Sequence, residues 1–187
     1  GEGTDTVAAW TVYGKLDVVF WMIVSAFGIA ITTFVGQNYG AGKIERVRKG
    51  IRSCLGMTVV STVVVSAFLY LTCGSIYTLF TDDTEVLRIG VETTRFLVPT
   101  YITYICIEIL SGALRGVGDC WIPTLICLTG VCLIRVVWIM AAVPRFPGIT
   151  TIIFSYPLTW VITTVLFGVY YCFFSKIRVF RRCRESL

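Results

Sequence analysis

Apolar runs alternate with short polar breaks along this chain, and five of the runs stand out, at about 18–36, 54–80, 96–114, 121–143 and 149–174. Each approaches or exceeds the ~20 residues a helix needs to cross a hydrocarbon core. Within a bilayer every backbone amide must be satisfied inside its own segment, so runs of this length are predicted to be helices. The pattern therefore predicts an all-α, polytopic membrane helix bundle with five transmembrane helices. In the first run Ser25, Ala26, Gly28 and Ala30 are small residues that permit close helix contact in lipid.

The breaks carry their own signals. Gly36-Gln37-Asn38-Tyr39-Gly40-Ala41-Gly42-Lys43 is a polar, glycine-rich exit from the first run. It is not a phosphate loop, because Gln37 stands where the first glycine is required and Ile44 where Ser or Thr is required. Between Lys43 and Arg52, Ile44, Val47 and Ile51 recur at helical spacing opposite a cationic face, which reads as an interfacial helix or a solvated connecting helix. Thr81-Asp82-Asp83-Thr84-Glu85 is an acidic turn suited to capping the amphipathic stretch from Glu85 to Arg95. Pro99 and Pro123 are expected in the first turns of the third and fourth runs, where proline is tolerated. Pro157 interrupts the fifth run.

Composition supports a bundle in lipid. The chain is 56% hydrophobic and 14% charged, with a mean hydropathy of +0.83, whereas soluble domains carry about 25% charged residues. The cations are one-sided. Eleven (Lys43, Arg46, Arg48, Lys49, Arg52, Arg115 and five in the tail from Lys176 to Arg184) fall on one side, and Lys15, Arg88, Arg95 and Arg145 fall on the other with seven acids. The positive-inside bias makes the first side cytoplasmic, C-terminus included. That leaves the N-terminal stub outside. With no signal peptide ahead of it, the chain is expected to continue upstream through at least one more helix. No basic stretch interleaved with aromatics points to nucleic acid. Eight cysteines lie mostly in apolar runs without CxxC spacing, and histidine is absent, so no zinc site and no cofactor is expected.

Two charges lie deep in apolar runs, Glu108 and Arg135. Such a charge costs at least ~2.5–3.5 kcal/mol, which is tolerated where it faces a bundle interior, a partner or a water-filled path. Counted from their shared loop, Glu108 lies seven residues in and Arg135 fourteen to sixteen. At ~1.5 Å per residue those depths are roughly 10 Å and 21–24 Å, so a direct pair is not favoured. Tyr101, Tyr104 and Glu108 share one helical face, and aromatic rings beside an acid suit an organic cation. Helix-packing tyrosines are the structural alternative. Arg135 is either functional or a residue that snorkels or staples neighbouring helices. Asp17 reads as a candidate at the outer mouth or as a helix-end charge.

Gly36-Gln37-Asn38-Tyr39-Gly40-Ala41-Gly42 and Gly112-Ala113-Leu114-Arg115-Gly116-Val117-Gly118-Asp119 resemble the VGQN-GAG and G-LRG-GD motifs of the multidrug and toxic compound extrusion (MATE) family. Val7-Ala8-Ala9-Trp10 and Ser155-Tyr156-Pro157-Leu158-Thr159-Trp160 extend the resemblance over essentially the whole chain. It implies twelve transmembrane helices in two six-helix lobes, with this chain as the C-terminal lobe lacking its first helix. It also implies a plasma (inner) membrane antiporter that exports drugs or organic cations against sodium ions or protons, partnered by the missing N-terminal half. The family commonly places a coupling acid on the tenth helix, and Glu108 is the acid there. The motif glycines would let two helices turn back, with Arg115 capping the third run's last carbonyls and Gln37 and Asn38 in structural or gating roles. A lipid-linked saccharide flippase of the same superfamily and a non-transporting scaffold are the alternatives. An enzyme is not expected, since no nucleophile–base pair is present at helical spacing.

Overall fold

A computed structural model describes residues 2–81, 83–146 and 148–173, with side chains for 6–81, 83–146, 148 and 150–173. The basic tail from Lys176 onward and Asp82 of the acidic turn lie outside the described residues. Every regular element among them is helical: α1 (Glu2–Gly40), α2 (Ile44–Tyr77), α3 (Thr84–Leu97), α4 (Tyr101–Gly116), α5 (Trp121–Cys127), α6 (Ile134–Ala142) and α7 (Ile149–Phe173). A 3-10 turn, Val98–Thr100, joins α3 to α4, and a π-helical turn, Leu128–Leu133, joins α5 to α6. These elements make five helices long and apolar enough to cross a membrane: Thr6–Gly40, Ile44–Tyr77, Thr84–Gly116, Trp121–Ala142 and Thr150–Phe173. The molecule is an integral membrane protein of the all-α class.

The helices run further than the apolar runs. Helix α1 begins well before residue 18, so Lys15 and Asp17 are interior helical residues. At 39 residues it extends about 58 Å, longer than the ~30 Å hydrocarbon core. Its C-terminal end reaches Gly40, placing Gln37 and Asn38 inside the helix; Asn38 donates to the Phe34 carbonyl at 2.8 Å. The Lys43–Arg52 stretch is not a separate helix but the first turns of α2. Asp83 caps α3, accepting from the Glu85 amide at 2.9 Å. Pro99 does not open a span: it sits in the 3-10 turn midway along the continuous Thr84–Gly116 helix, where a missing amide and a tighter turn are accommodated together. Pro157 lies inside α7 without ending it.

Helix α4 is the centre of the bundle. Of the apolar stretch of its span 61% is buried, against 6% for Trp121–Ala142, and α1, α2 and α7 all pack on it. Phe20, Val24, Ile31 and Val35 of α1 join Ile105, Ile109, Ala113 and Leu114 of α4 in the main core. The α1–α4 crossing is close because α4 presents Gly112 and Gly116 one turn apart. A Cβ on Gly112 would stand 2.8 Å from the Gly28 carbonyl, and one on Gly116 2.7 Å from the Thr32 carbonyl. Thr32 Oγ1 lies 3.0 Å from the Gly112 carbonyl and donates across the same crossing. This is small-residue packing of the kind that drives helix association in lipid. Of Ser25, Ala26, Gly28 and Ala30, only Gly28 is buried; the other three are exposed.

The reversals after α1 and after α4 are made by glycines in the left-handed region, Gly42 (φ 70°) and Gly118 (φ 78°). Because Gly36 abuts the Gly116 carbonyl, both turns lie at one end of the bundle. Tyr170, near the end of α7, joins them there by donating its hydroxyl to Asp119. Large apolar side chains such as Met22, Ile29, Leu71, Trp121 and Met140 point outward, where lipid rather than a protein core covers them.

Candidate functional site

The Tyr101–Tyr104–Glu108 face of α4 divides into two polar clusters. The first surrounds Asp17. Tyr101 donates its hydroxyl to Asp17 Oδ1 and the Trp21 indole donates to Oδ2. With the Tyr101 proton committed, the Tyr13 hydroxyl donates to Tyr101 at 2.9 Å. Phe20 stacks on the Tyr101 ring at 4.0 Å between centroids, and Tyr101 itself is 1% exposed. Asp17 is thus a carboxylate inside the bundle, held by uncharged donors, and not a helix-end charge.

The second cluster holds Glu108. Tyr104 donates to its Oε2 at 3.3 Å, and Arg115 Nη2 donates to Oε1 at 3.4 Å. Arg115 lies two turns further along the same helix, so its side chain reaches back toward the bundle interior and does not cap the α4 carbonyls. Both contacts are long for charge-assisted hydrogen bonds, whose usual length is about 2.5–2.7 Å from a hydroxyl and about 2.7–2.9 Å from a guanidinium. The Glu108 side chain is 20% exposed, so its carboxylate is reachable and loosely held. Across from it lies Gly28, whose missing side chain leaves the space that the Glu108 carboxylate occupies.

Arg135 belongs to neither cluster. It projects from α6 onto α7, with its guanidinium 3.9 Å from the centre of the Tyr156 ring and Nη2 donating to Thr159 Oγ1 at 3.2 Å. Glu108 and Arg135 do not pair: among the described residues Glu108 takes its cation from Arg115. Arg135 instead lines an open cleft of about 430 Å³ between α1, α4, α5–α6 and α7. Trp21, Tyr104, Tyr156 and Trp160 are its aromatic walls, and Tyr104 and Trp160 meet edge to face at 5.7 Å. Tyr104 connects the cleft to Glu108 through its hydroxyl. Among the described residues no group of three or more His, Cys, Asp or Glu converges as a metal cluster.

The site residues expected from sequence are therefore placed in pairs, Tyr101 with Asp17 and Tyr104 with Glu108, with Arg135 apart. Trp21, Arg115, Tyr156 and Trp160 were missed as site residues. Their spacing held a signal, since Trp21 is four residues from Asp17, Arg115 seven from Glu108, and Trp160 four from Tyr156.

Residues 2–140 match the MatE family model, most of the chain. The chain belongs to the MatE family. This MatE chain is 23% identical over 176 residues to the probable multidrug resistance protein YoeA of Bacillus subtilis (strain 168), covering 93% of the chain and 38% of that protein. Its fold is that of a solved outward-facing multidrug resistance MATE family transporter of the MOP superfamily, with a TM-score of 0.85 at 14% identity, covering 96% of this chain and 40% of the other. It also superposes on an inward-facing one with a TM-score of 0.81 at 18% identity, over 92% and 39% of the two chains. The MatE chain spans about two fifths of the length of these relatives.

Proposed function

We propose that this chain is the C-terminal lobe of a secondary active antiporter, which exports drugs or organic cations in exchange for sodium ions or protons. In this reading it lacks the first helix of the lobe and works with an N-terminal half, in the plasma (inner) membrane with its C-terminus cytoplasmic. Glu108 is the coupling group. The supporting observation is a carboxylate inside the bundle that two long contacts, from Tyr104 and Arg115, hold in reach of an aromatic cleft. An antiporter needs such a group: a carboxyl that takes up and releases a cation, close enough to the substrate site for each to bias the other. A ligand shifts the inward–outward equilibrium only by its differential affinity for the two states.

Tyr104 couples the two sites in this reading. Its ring is a wall of the cleft, and its hydroxyl is a ligand of Glu108. A cation on Glu108 competes for the two oxygens that Tyr104 (Oε2) and Arg115 (Oε1) now hold, and so moves a wall of the substrate site. Against the flippase alternative stands the size of the cleft, about 430 Å³, with one arginine in its lining. The test is Glu108→Gln in the complete transporter, which keeps shape and hydrogen bonding without the charge. Ion-driven export should disappear while insertion and folding persist, and normal ion-coupled export by well-folded variant would overturn the reading.

A further inference from the structure

We propose that Arg135 is a carboxylate-binding group of the substrate cleft, so that the site selects planar aromatic compounds bearing a carboxylate. This rests on the transporter reading above and, of the drugs and organic cations named there, assigns the cleft to drugs that carry a carboxylate.

Arg135 is incompletely satisfied where it lies. A guanidinium offers five N–H donors, and among the described residues Arg135 makes one hydrogen bond, from Nη2 to Thr159. Its Nε is buried without a partner, and Nη1 donates to nothing among the described residues. No acid pairs with it among them, since Glu108 is held by Arg115 and Asp17 by Tyr101 and Trp21. An unpaired cation in a low-dielectric bundle is costly. Stacking on Tyr156 offsets part of that cost, and an anionic ligand would offset more.

The geometry fits a carboxylate. Stacking on Tyr156 fixes the plane of the guanidinium, and Thr159 fixes its rotation. Nη1 and the second proton of Nη2 are then left as a fork, the arrangement that binds a carboxylate through two parallel hydrogen bonds. The surroundings fit an aromatic skeleton: Trp21, Tyr104 and Trp160 supply ring faces and edges within a cleft of about 430 Å³, within the usual range for small-molecule sites.

The backbone supports the same assignment. Just before Arg135 the helix passes through the π turn Leu128–Leu133, and such turns recur at functional sites. One extra residue in a turn rotates everything beyond it by about 100° about the axis. Leu128, Val131 and Cys132 of the turn line the cleft together with Arg135. The turn is seated at Gly130, where a Cβ would collide with Thr163 of α7. Position 135 is thereby turned toward α7 instead of outward to lipid.

The experiment is calorimetric titration of the purified complete transporter in detergent with 2-naphthoate, its methyl ester and naphthyl-trimethylammonium. The expected result is binding of the acid about tenfold or more tighter than the ester, as a direct charge pair gives. Arg135→Gln should bring the acid to the affinity of the ester and leave the ester unchanged. Arg135→Lys should recover part of the preference, since it keeps the charge and loses the planar fork. Equal affinity for acid and ester, tightest binding of the ammonium compound, or no binding of any probe would each overturn the assignment. The wild-type comparison decides alone if Arg135→Gln does not fold. No step needs an ion gradient, so naphthoate binding that survives alongside an unaltered Glu108→Gln exporter would count against the coupling role of Glu108 and not against the carboxylate site.

Discussion

Glu108 and Gly28 interlock: the glutamate carboxylate lies where a Cβ at position 28 would have to be. The two residues come from helices α4 and α1, which cross there on Gly112 and Gly116. One crossing thus both holds the bundle together and shapes the seat of the Glu108 carboxylate.

The three glycines should respond differently to alanine. At Gly28 the new methyl meets the far end of a flexible side chain, which can move, and alanine adds up to ~1 kcal/mol of helix propensity. Gly28→Ala is therefore expected to fold normally while displacing the Glu108 carboxylate, which should impair ion-coupled transport. At Gly112 and Gly116 the methyl meets backbone carbonyls at 2.8 and 2.7 Å, which cannot move without separating the helices. Those variants should lose about 1–3 kcal/mol of stability. Thermal unfolding in detergent, set beside export rate, separates the cases; a destabilised Gly28→Ala with intact coupling would contradict the arrangement.

Arg115 and a coupling cation should compete for the same carboxylate. Replacing Arg115 by Gln frees Glu108 Oε1, so the half-saturating concentration of the driving ion should fall. Arg115→Lys keeps a charge and should remain near wild type. Stability should change little, because the pair is long and its arginine 45% exposed, and such pairs contribute about 0–1 kcal/mol. Ion-titrated export from proteoliposomes reads the first quantity, and an unchanged or raised half-saturation would rule out competition.

The fold class was legible because five apolar runs leave a chain in lipid few alternatives. Less legible were the features that depend on partners. Asp17 looked like a helix-end charge or a residue of the outer mouth, but α1 runs on through it, where Tyr101 and Trp21 satisfy its carboxylate and the nearby Lys15 ammonium sits over the Phe80 ring. Arg115 looked like a cap; its reach of two turns back to Glu108 was available in the spacing, but only the packing of α1 decides which way a long side chain turns. The π turn at Leu128–Leu133 has no proline to announce it, and its seat is a contact between Gly130 and Thr163 that no local pattern encodes. The depth count that disfavoured a Glu108–Arg135 pair agreed with the structure, because axial rise in a helix is fixed by geometry alone.

Sidedness can be checked by labelling. The Gly42 and Gly118 turns share one end of the bundle, together with Lys43, Arg115 and the exposed Cys120. If the cation bias sets orientation, Cys120 as the sole cysteine should react with a membrane-impermeant maleimide only from the cytoplasmic side. A cysteine at Asp83, beyond the opposite end of α2, should react only from outside. The reverse pattern would invert the assignment.

Asp17 should matter to the fold more than to coupling. Its carboxylate accepts from Tyr101 and Trp21, and Tyr101 is among the most buried large side chains, stacked on Phe20. In Asp17→Ala the Tyr101 hydroxyl loses its acceptor in a place water does not reach, although Tyr13 remains beside it. A buried donor left this way costs about 1–3 kcal/mol, so the thermal midpoint in detergent should fall clearly. Asp17→Asn keeps the size and one acceptor oxygen, and should lose less. Tyr101→Phe removes the donor itself, so it should be milder than Asp17→Ala; combined with Asp17→Ala it should cost less than the two added, because both act on one hydrogen bond. Ion-coupled export by Asp17→Asn should persist wherever the protein is folded. An Asp17→Ala variant as stable as wild type would remove the structural role, and a well-folded Asp17→Asn that exports without ion coupling would move the coupling site from Glu108 to the Asp17 cluster.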